Sequence, residues 1–311
     1  MIMLEVLSLS VPFFALIFLG LGARLVSFCD ENGARLLSQF AFFVALPPFM
    51  FINIAASDAS QILNWGFVWR YESATIIIFL LSAFIGRAFF KLTRAETGIF
   101  GLNSVYPNYG YMGVPLAILA FGEVAALPMA LILLADTVVL LGLTSVFVSK
   151  EGQGGADMFW QIIRTMMRNP LMISVVAGLA FSASGLTLPV VADRFIHMLS
   201  GAAAPVALFA LGATLYGQPI RSAMLELNTL TIIKLLIHPW LIAVLFIFFP
   251  GQDVLWIKVA IISACLPVAA NVFMLSHVYG AYSGRTASTI FLSTMVATLT
   301  VPVVLYLVFL L

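Results

Sequence analysis

Ten apolar stretches follow one another along this 311-residue chain, separated mostly by short polar connections. Each can cross the hydrocarbon core of a membrane, which takes about twenty helical residues. With 63% hydrophobic and 9% charged residues, the chain is far more apolar than soluble domains, in which about 25% of residues are charged. We therefore predict an all-α membrane protein with spans at 3–25, 36–56, 67–90, 97–121, 125–148, 169–186, 197–217, 227–249, 254–279 and 286–310.

The fourth stretch contains a segment that cannot be one regular helix. Between Gly101 and Leu116 lie two prolines, two further glycines, two asparagines and three tyrosines. Proline lacks an N–H and its ring clashes with the carbonyl one turn back. In hydrocarbon a broken helix is tolerated only where it lines a cavity or is buried in protein. We therefore expect a discontinuous helix at a site that binds a polar solute.

The two halves of the chain resemble each other at a constant offset of 158 residues. Proline is scarce, yet Pro12 and Pro47 have counterparts in Pro170 and Pro205 at this offset. Each half holds five spans, and an odd number turns the second half upside down relative to the first. This pattern predicts an inverted-topology repeat, which is common in secondary transporters. A chance match of apolar sequence is the alternative.

The repeat predicts a second interrupted span. Pro267, in the ninth span, lies 160 residues after Pro107, so a two-residue shift restores the register. Asn108 and Asn271 each lie within one turn of these prolines. A lone proline is consistent with a simple kink, whereas matched interruptions in both halves favour a binding site.

A Gly-rich stretch and an amphipathic segment separate the two halves. Residues 158–168 place Met, Phe and Ile on one helical face, as expected for a helix at the membrane surface. We therefore divide the chain into a first five-helix repeat at 1–149, a cytoplasmic linker with an interfacial helix at 150–168, and a second, inverted repeat at 169–311.

Lysine and arginine are concentrated in alternate loops. Ten lie in the loops after spans 1, 3, 5, 7 and 9, and three lie in the other loops. Cytoplasmic loops carry an excess of these residues. We therefore expect a multi-pass protein of the cell membrane with both termini on the extracytoplasmic side.

Ionisable residues inside predicted spans are costly and are therefore functional candidates. Asp136 lies centrally in span five, and Lys234 and His238 lie one turn apart in span eight. Asp136 could couple transport to a cation or relay protons, or it could form a structural ion pair with Lys234. Glu72 is a further coupling candidate, although its nearness to Arg70 favours an interfacial ion pair.

Signatures of other protein classes are missing from the sequence. It contains no His-Glu-x-x-His, no Gly-x-Ser-x-Gly and no phosphate-binding glycine loop. A net charge of +1 does not indicate binding to nucleic acid. Two cysteines far apart in the sequence do not indicate a disulfide framework. We expect no enzyme and no resident cofactor, with the coupling ion, Na⁺ or H⁺, left open.

The segment Pro107–Pro115 reads Pro-Asn-Tyr-Gly-Tyr-Met-Gly-Val-Pro. It resembles the Pro-Asn-x-x-x-Met-Gly-x-Pro signature of the auxin efflux carrier family, and the resemblance extends through Leu46-Pro47, Pro205–Gly212 and Leu266–Gly280. It implies a ten-helix fold related to bile-acid symporters and sodium/proton antiporters, with spans 4 and 9 crossing at their breaks. Spans 1, 2, 6 and 7 would form a scaffold and a homodimer interface. Spans 3–5 and 8–10 would form a mobile transport domain.

The resemblance also implies that Asn108 contacts a substrate carboxylate. The N–H groups that begin a half-helix favour an anion, and we expect this end near Gly113 and Pro115. Val272 stands where plant carriers have a second proline, which favours the bacterial malonate and malate permeases. The predicted substrate-binding residues are Asn103, Pro107, Asn108, Tyr109, Gly113, Pro115, Pro267 and Asn271.

The sequence thus predicts a secondary or facilitative transporter of small carboxylates. Alternating access would come from an elevator-like movement of the transport domain against the scaffold. Its partners would be the carboxylate, the lipid bilayer and a second copy of the chain. The alternative is a membrane-embedded sensor that binds a ligand without moving it.

Overall fold

The computed structural model describes residues 2–57, 64–149, 155–217 and 223–311, and most of these residues are helical. Helical segments overlap every predicted span. In chain order the α-helices are α1 (Ile2–Leu25), α2 (Glu31–Phe40), α3 (Leu46–Ala55), α4 (Trp65–Ala88), α5 (Arg94–Val105), α6 (Val114–Phe121), α7 (Ala126–Val148), α8 (Gly155–Arg168), α9 (Pro170–Ser184), α10 (Val190–Leu215), α11 (Met224–Ile232), α12 (His238–Phe248), α13 (Val254–Ala264), α14 (Ala270–Val278) and α15 (Ser283–Phe309).

Several helical segments are long and apolar enough to cross a membrane, so the protein is an all-helical, multi-pass membrane protein. Seven such segments occur in the described ranges: Ile2–Leu25, Glu31–Ala55, Trp65–Ala88, Glu123–Val148, Val190–Leu215, Met224–Phe248 and Ser283–Phe309. The remaining predicted spans hold the shorter apolar helices Tyr109–Phe121, Pro170–Ser184 and Val254–Ala264.

Widened turns accommodate prolines inside the helical segments. The π-turn Ile233–Ile237 precedes α12, whose second residue is Pro239, and the N–H of His238 bonds to the carbonyl five residues back. Ala41–Ala45 forms the same turn before Pro47. The wider turn gives the proline ring room next to the preceding carbonyls.

A third π-turn corrects the predicted position of the break in span four. Tyr109–Gly113 continues directly into α6, which has Pro115 at its second position. The prediction that the second half-helix begins around Gly113 and Pro115 was therefore wrong. The non-helical residues are 106–108, and the turn before Pro115 accommodates the proline as in the other two cases.

The chain divides into two compact units, and each contains residues from both halves of the sequence. The first unit comprises 1–64, 109–131 and 166–217, and the second comprises 65–108, 132–165 and 218–311. This division separates spans 1, 2, 6 and 7 from spans 3, 8, 9 and 10. It differs from the expected grouping at 109–131, which belongs to the first unit.

Close helix contacts define the first unit, in which α1 packs on α10 and α3 packs on α9. A Cβ at Gly20 in α1 would collide with the carbonyl oxygen of Phe209. A Cβ at Gly178 in α9 would lie 3.1 Å from the carbonyl oxygen of Phe51. Adding 158 to positions 20 and 51 gives 178 and 209, so equivalent positions of the two halves make both contacts.

In the second unit, α4 lies against α5 and α12, while α11, α13 and α14 pack on α15. Hydroxyl side chains cover the inner face of α15. They include Thr286, Ser288, Thr289, Ser293 and Thr294, all of which are buried. This face can supply hydrogen-bond partners to backbone that has left a helix.

The helix between the two halves, α8, begins three residues earlier than the predicted interfacial helix. Trp160 and Met167 are exposed, whereas Ile163 and Met166 are half-buried. Linker residues 150–154 lie outside the described residues, and so do the side chains of Met158, Phe159 and Ile162.

The contact at Gly20 predicts a sharp difference between two glycines of α1. Gly20→Ala should lower the free energy of unfolding by about 1–3 kcal/mol, because overpacking forces the backbones apart. A Cβ at Gly22 would have no neighbouring atom within 4 Å, so Gly22→Ala should be neutral or stabilise by up to ~1 kcal/mol. Thermal unfolding in detergent measures both, and equal melting temperatures would contradict the close contact.

Candidate functional site

The two interrupted segments, 106–108 and 267–269, pair with each other in the second unit, and we call this pair the crossing. Pro107 and Val268 face each other in an isolated antiparallel bridge. Main-chain hydrogen bonds flank this bridge on both sides. They run from Asn108 N–H to the Pro267 carbonyl (2.9 Å) and from Ala269 N–H to the Tyr106 carbonyl (3.1 Å).

Backbone N–H groups of the crossing have partners although the helices are interrupted. The N–H of Tyr106 donates to the Leu102 carbonyl at 3.0 Å, and that of Val268 donates to Ser293 Oγ at 3.2 Å. Pro107 and Pro267 carry no N–H. Proline is therefore suited to these two positions, because an unsatisfied donor in hydrocarbon would cost several kcal/mol.

Two of the predicted asparagines lie at the crossing. Asn108 is 2% exposed and is held by its main-chain bond to Pro267. The Tyr106 hydroxyl hydrogen-bonds with the side chains of Thr137 and Asn271. Helix α14 begins at Ala270, so N–H groups of a helix start lie next to the crossing.

Asn103 lies one turn before the crossing. Its Nδ2 donates to the Ile99 carbonyl at 2.8 Å and to Thr286 Oγ1 at 3.0 Å. Its Oδ1 is buried and accepts no hydrogen bond from the described residues. The side chain therefore ties α5 to α15, and its oxygen keeps accepting capacity.

The other predicted site residues on span four belong to the first unit. Tyr109, Gly113 and Pro115 are buried in the helical stretch that begins directly after Asn108. In the same stretch, the Tyr111 hydroxyl donates to the Ser38 carbonyl at 3.2 Å.

The second unit buries a pair of carboxyl groups. Glu72 is 6% exposed and Asp136 is fully buried, and the two side chains hydrogen-bond with each other. The expected ion pair between Glu72 and Arg70 is wrong. Arg70 instead donates to the carbonyls of Phe249 and Pro250, because it lies on the part of α4 next to the end of α12.

Lys234 is fully buried in the same unit. Its ammonium donates to the Ala264 carbonyl at 2.6 Å, at the C-terminal end of α13, and lies within electrostatic range of Asp136. A cation at a helix C-terminus is favourable because the last carbonyls lack helical partners. His238, one turn on, contacts Thr75 at 3.2 Å.

Small hydroxyl side chains are the site residues that the sequence predictions missed. Thr137 contacts Tyr106, Ser293 caps Val268 and Thr286 holds Asn103. The density of Ser and Thr in span ten was a usable signal. It is weak, because such residues also bond to their own helix backbone.

A separate cavity of about 460 Å³ lies in the first unit. It contains the acidic residues Glu123 and Asp193, together with Asn53 and His197, and none of the predicted site residues. Two carboxylates make it a poor site for an anion. The candidate site is therefore the crossing and the buried groups around it.

Known membrane transport proteins resemble this chain along most of its length. A family model described as a membrane transport protein matches residues 6–305. A Rhizobium meliloti protein named "Putative malonate transporter" is 34% identical over 98% of this chain and 97% of its own length. An uncharacterized transporter of Methanocaldococcus jannaschii is 23% identical over 90% and 91%. The lysosomal cholesterol signaling protein of Mus musculus is 24% identical over 73% of this chain and 28% of its own length.

The fold and the crossing define a multi-pass membrane protein with an interrupted-helix site, and the matches define its class. The chain belongs to the membrane transport protein family, the auxin efflux carrier family. The resemblance of Pro107–Pro115 to that family is confirmed. The protein is a membrane transporter and not an enzyme.

The Lys234 contact generates a stability prediction. Lys234→Met should lower the free energy of unfolding by about 2–3 kcal/mol, because it leaves the Ala264 carbonyl without its charged donor and removes a cation beside buried carboxyls. Lys258 lies in α13 and is half-buried. Lys258→Met is the matched control and should change the free energy of unfolding little. A Lys234→Met melting temperature equal to that of the control would contradict the capping role.

Proposed function

We propose that the protein is a secondary or facilitative transporter of small organic anions, with carboxylates of the malonate type as substrates. The observation that carries this proposal is the crossing, where two interrupted helices meet by main-chain hydrogen bonds. Interrupted helices in matched positions are a feature of transporter binding sites. The relative named as a malonate transporter supports the substrate class.

The chemistry of the crossing suits a carboxylate. Asn108 and Asn271 carry side-chain amides, which donate hydrogen bonds through their NH₂ groups. The start of α14 adds backbone N–H groups and the positive end of a helix dipole. Pro107 and Pro267 would hold the segments open, and Asn103 would position α5 through Thr286. Tyr109, Gly113 and Pro115 complete the proposed substrate-binding set.

We assign ten spans in two inverted five-helix repeats to the proposed transporter. Support comes from the equivalent contacts of Gly20 and Gly178, and from the interruptions at Pro107 and Pro267. Transport would be elevator-like, with the transport domain moving against a scaffold of spans 1, 2, 6 and 7 that forms the homodimer. The protein would lie in the plasma membrane with both termini outside, where the loop charges place them. Asp136, Lys234 and Glu72 would couple transport to Na⁺ or H⁺.

Uptake of labelled malonate into proteoliposomes tests the proposed site. Asn108→Ala should lower uptake at limiting malonate by about 10–100-fold, because a hydrogen bond to a charged group is worth about 1.5–3 kcal/mol. Asn32→Ala, at an exposed position of α2, is the matched control and should leave uptake unchanged. Equal uptake by both variants would remove Asn108 from the site.

Binding and transport can be separated in the same preparation. Malonate at about 100 times its dissociation constant should stabilise the purified protein by ~2.7 kcal/mol, measured as a thermal shift. An aromatic acid of similar charge should give a smaller shift, because the assignment is to the malonate class. Saturable binding without counterflow between liposome interior and medium would indicate a sensor and would contradict transport.

A further inference from the structure

The carboxyl groups of Glu72 and Asp136 are here called the carboxyl pair, and Glu72 lacks the hydrogen-bond donors that an ordinary buried carboxylate requires. Buried carboxylates are normally matched by several N–H or O–H donors. Neither carboxyl oxygen of Glu72 accepts a hydrogen bond from a described N–H or hydroxyl group. The group that Glu72 does contact is the Asp136 carboxyl. Glu72 is therefore aimed at a second acid, in the interior of the second unit.

A hydrogen bond between two carboxyl groups needs a proton on one of them. Carboxylates accept hydrogen bonds but cannot donate them, whereas a protonated carboxyl has one O–H to give. If both groups were charged, two like charges would be in contact away from water, where their repulsion is screened least. The geometry is thus that of two acids that share one proton.

The positive charge beside the carboxyl pair is held in place by a different bond. Lys234 donates to the Ala264 carbonyl at 2.6 Å. Carbonyls at the ends of interrupted helices are the kind of ligand that binds Na⁺ in transporters. At α13 the ammonium occupies this position, so a resident side chain supplies the cation.

We propose that the carboxyl pair is a proton-binding site that couples proton movement to transport of the anion, and that Na⁺ has no part in the coupling. The inference rests on the proposed function for its substrate. It identifies the coupling ion as the proton, and it gives Glu72, Asp136 and Lys234 different roles. Glu72 and Asp136 bind the proton, and Lys234 positions α13 through its hydrogen bond to the Ala264 carbonyl.

The titratable groups around the carboxyl pair are accounted for. Helix α4 packs on α5 and α12, and the electrostatic neighbours of the pair come from these elements and from the interrupted span. Tyr106 at the end of α5 and Lys234 before α12 are electrostatic neighbours of Asp136. Cys265 after α13 and His238 on α12 are in turn neighbours of Lys234, and the His238 ring contacts Tyr71 of α4. Lys234 is the basic side chain of this set that lies next to Asp136.

The proposed step conserves protons and forms no bond to the substrate. A proton from water on one side of the membrane adds to a carboxylate oxygen and is held between Glu72 and Asp136. After the transport domain has moved, the O–H bond breaks and the proton passes to water on the other side. One positive charge therefore accompanies each anion.

Proton movement can be measured during malonate uptake. Proteoliposomes containing a pH-sensitive dye and no Na⁺ should acidify inside as labelled malonate enters through the wild-type protein. Glu72→Gln and Asp136→Asn should still exchange malonate but should reduce the proton-to-malonate ratio at least several-fold. Glu5→Gln, at an exposed position of α1, is the control and should keep the wild-type ratio. A ratio unchanged in both site variants, or uptake that requires Na⁺, would overturn the proposal.

An infrared measurement tests the carboxyl pair without any substrate. Purified wild-type protein at neutral pH should show the C=O stretch of a protonated carboxylic acid, and Glu5→Gln should retain it. In Glu72→Gln the amide donates to Asp136 in place of the proton, so the band should disappear. Absence of the band in the wild type would overturn the proposal, whereas a band without malonate transport would count against the proposed function alone.

Discussion

Satisfaction of backbone hydrogen bonds away from water is the constraint on which the second unit depends. Two helices are interrupted where no solvent is expected, and each interruption frees donors and acceptors that hydrocarbon cannot satisfy. The crossing resolves this by pairing one interruption with the other, so that Asn108 and Ala269 donate across it. Neither break could exist without its partner. Ser293 on α15 accepts the hydrogen bond of a further freed donor, the Val268 N–H.

The charged residues do not follow the proposed repeat of the two halves. Shifting Lys234 back by 160 residues gives Ala74, and shifting Glu72 forward gives Ile232. The ammonium therefore caps the interrupted helix of the second half, while both carboxyls of the pair come from the first. The buried charged groups are thus distributed unequally between the two halves of the sequence. This arrangement suits a site that binds two unlike species, an anion and a cation.

Sequence reasoning predicted the seven long apolar helices and the two interruptions because both depend on local chemistry. About twenty apolar residues require a membrane, and a proline removes a donor wherever it stands. It failed where the outcome depends on which residues face each other. Pro115 suggested a break in the helix, but a π-turn accommodates it within a continuous helical segment. Glu72 suggested an ion pair with Arg70, but its side chain lies on the opposite side of the helix and contacts Asp136. The spacing of residues in the sequence alone does not determine the direction in which each side chain points from its helix.

The positions of these charges imply a sign for the coupling. With one shared proton the carboxyl pair carries one negative charge. Loss of that proton adds a negative charge close to the crossing, since Tyr106 of the crossing lies within electrostatic range of Asp136. An anion at the crossing would then be repelled, so proton and anion binding favour each other. Linkage makes this reciprocal: the anion must raise proton affinity by the same factor. Movement of both species in the same direction follows from that sign, without any contact between substrate and carboxyl pair.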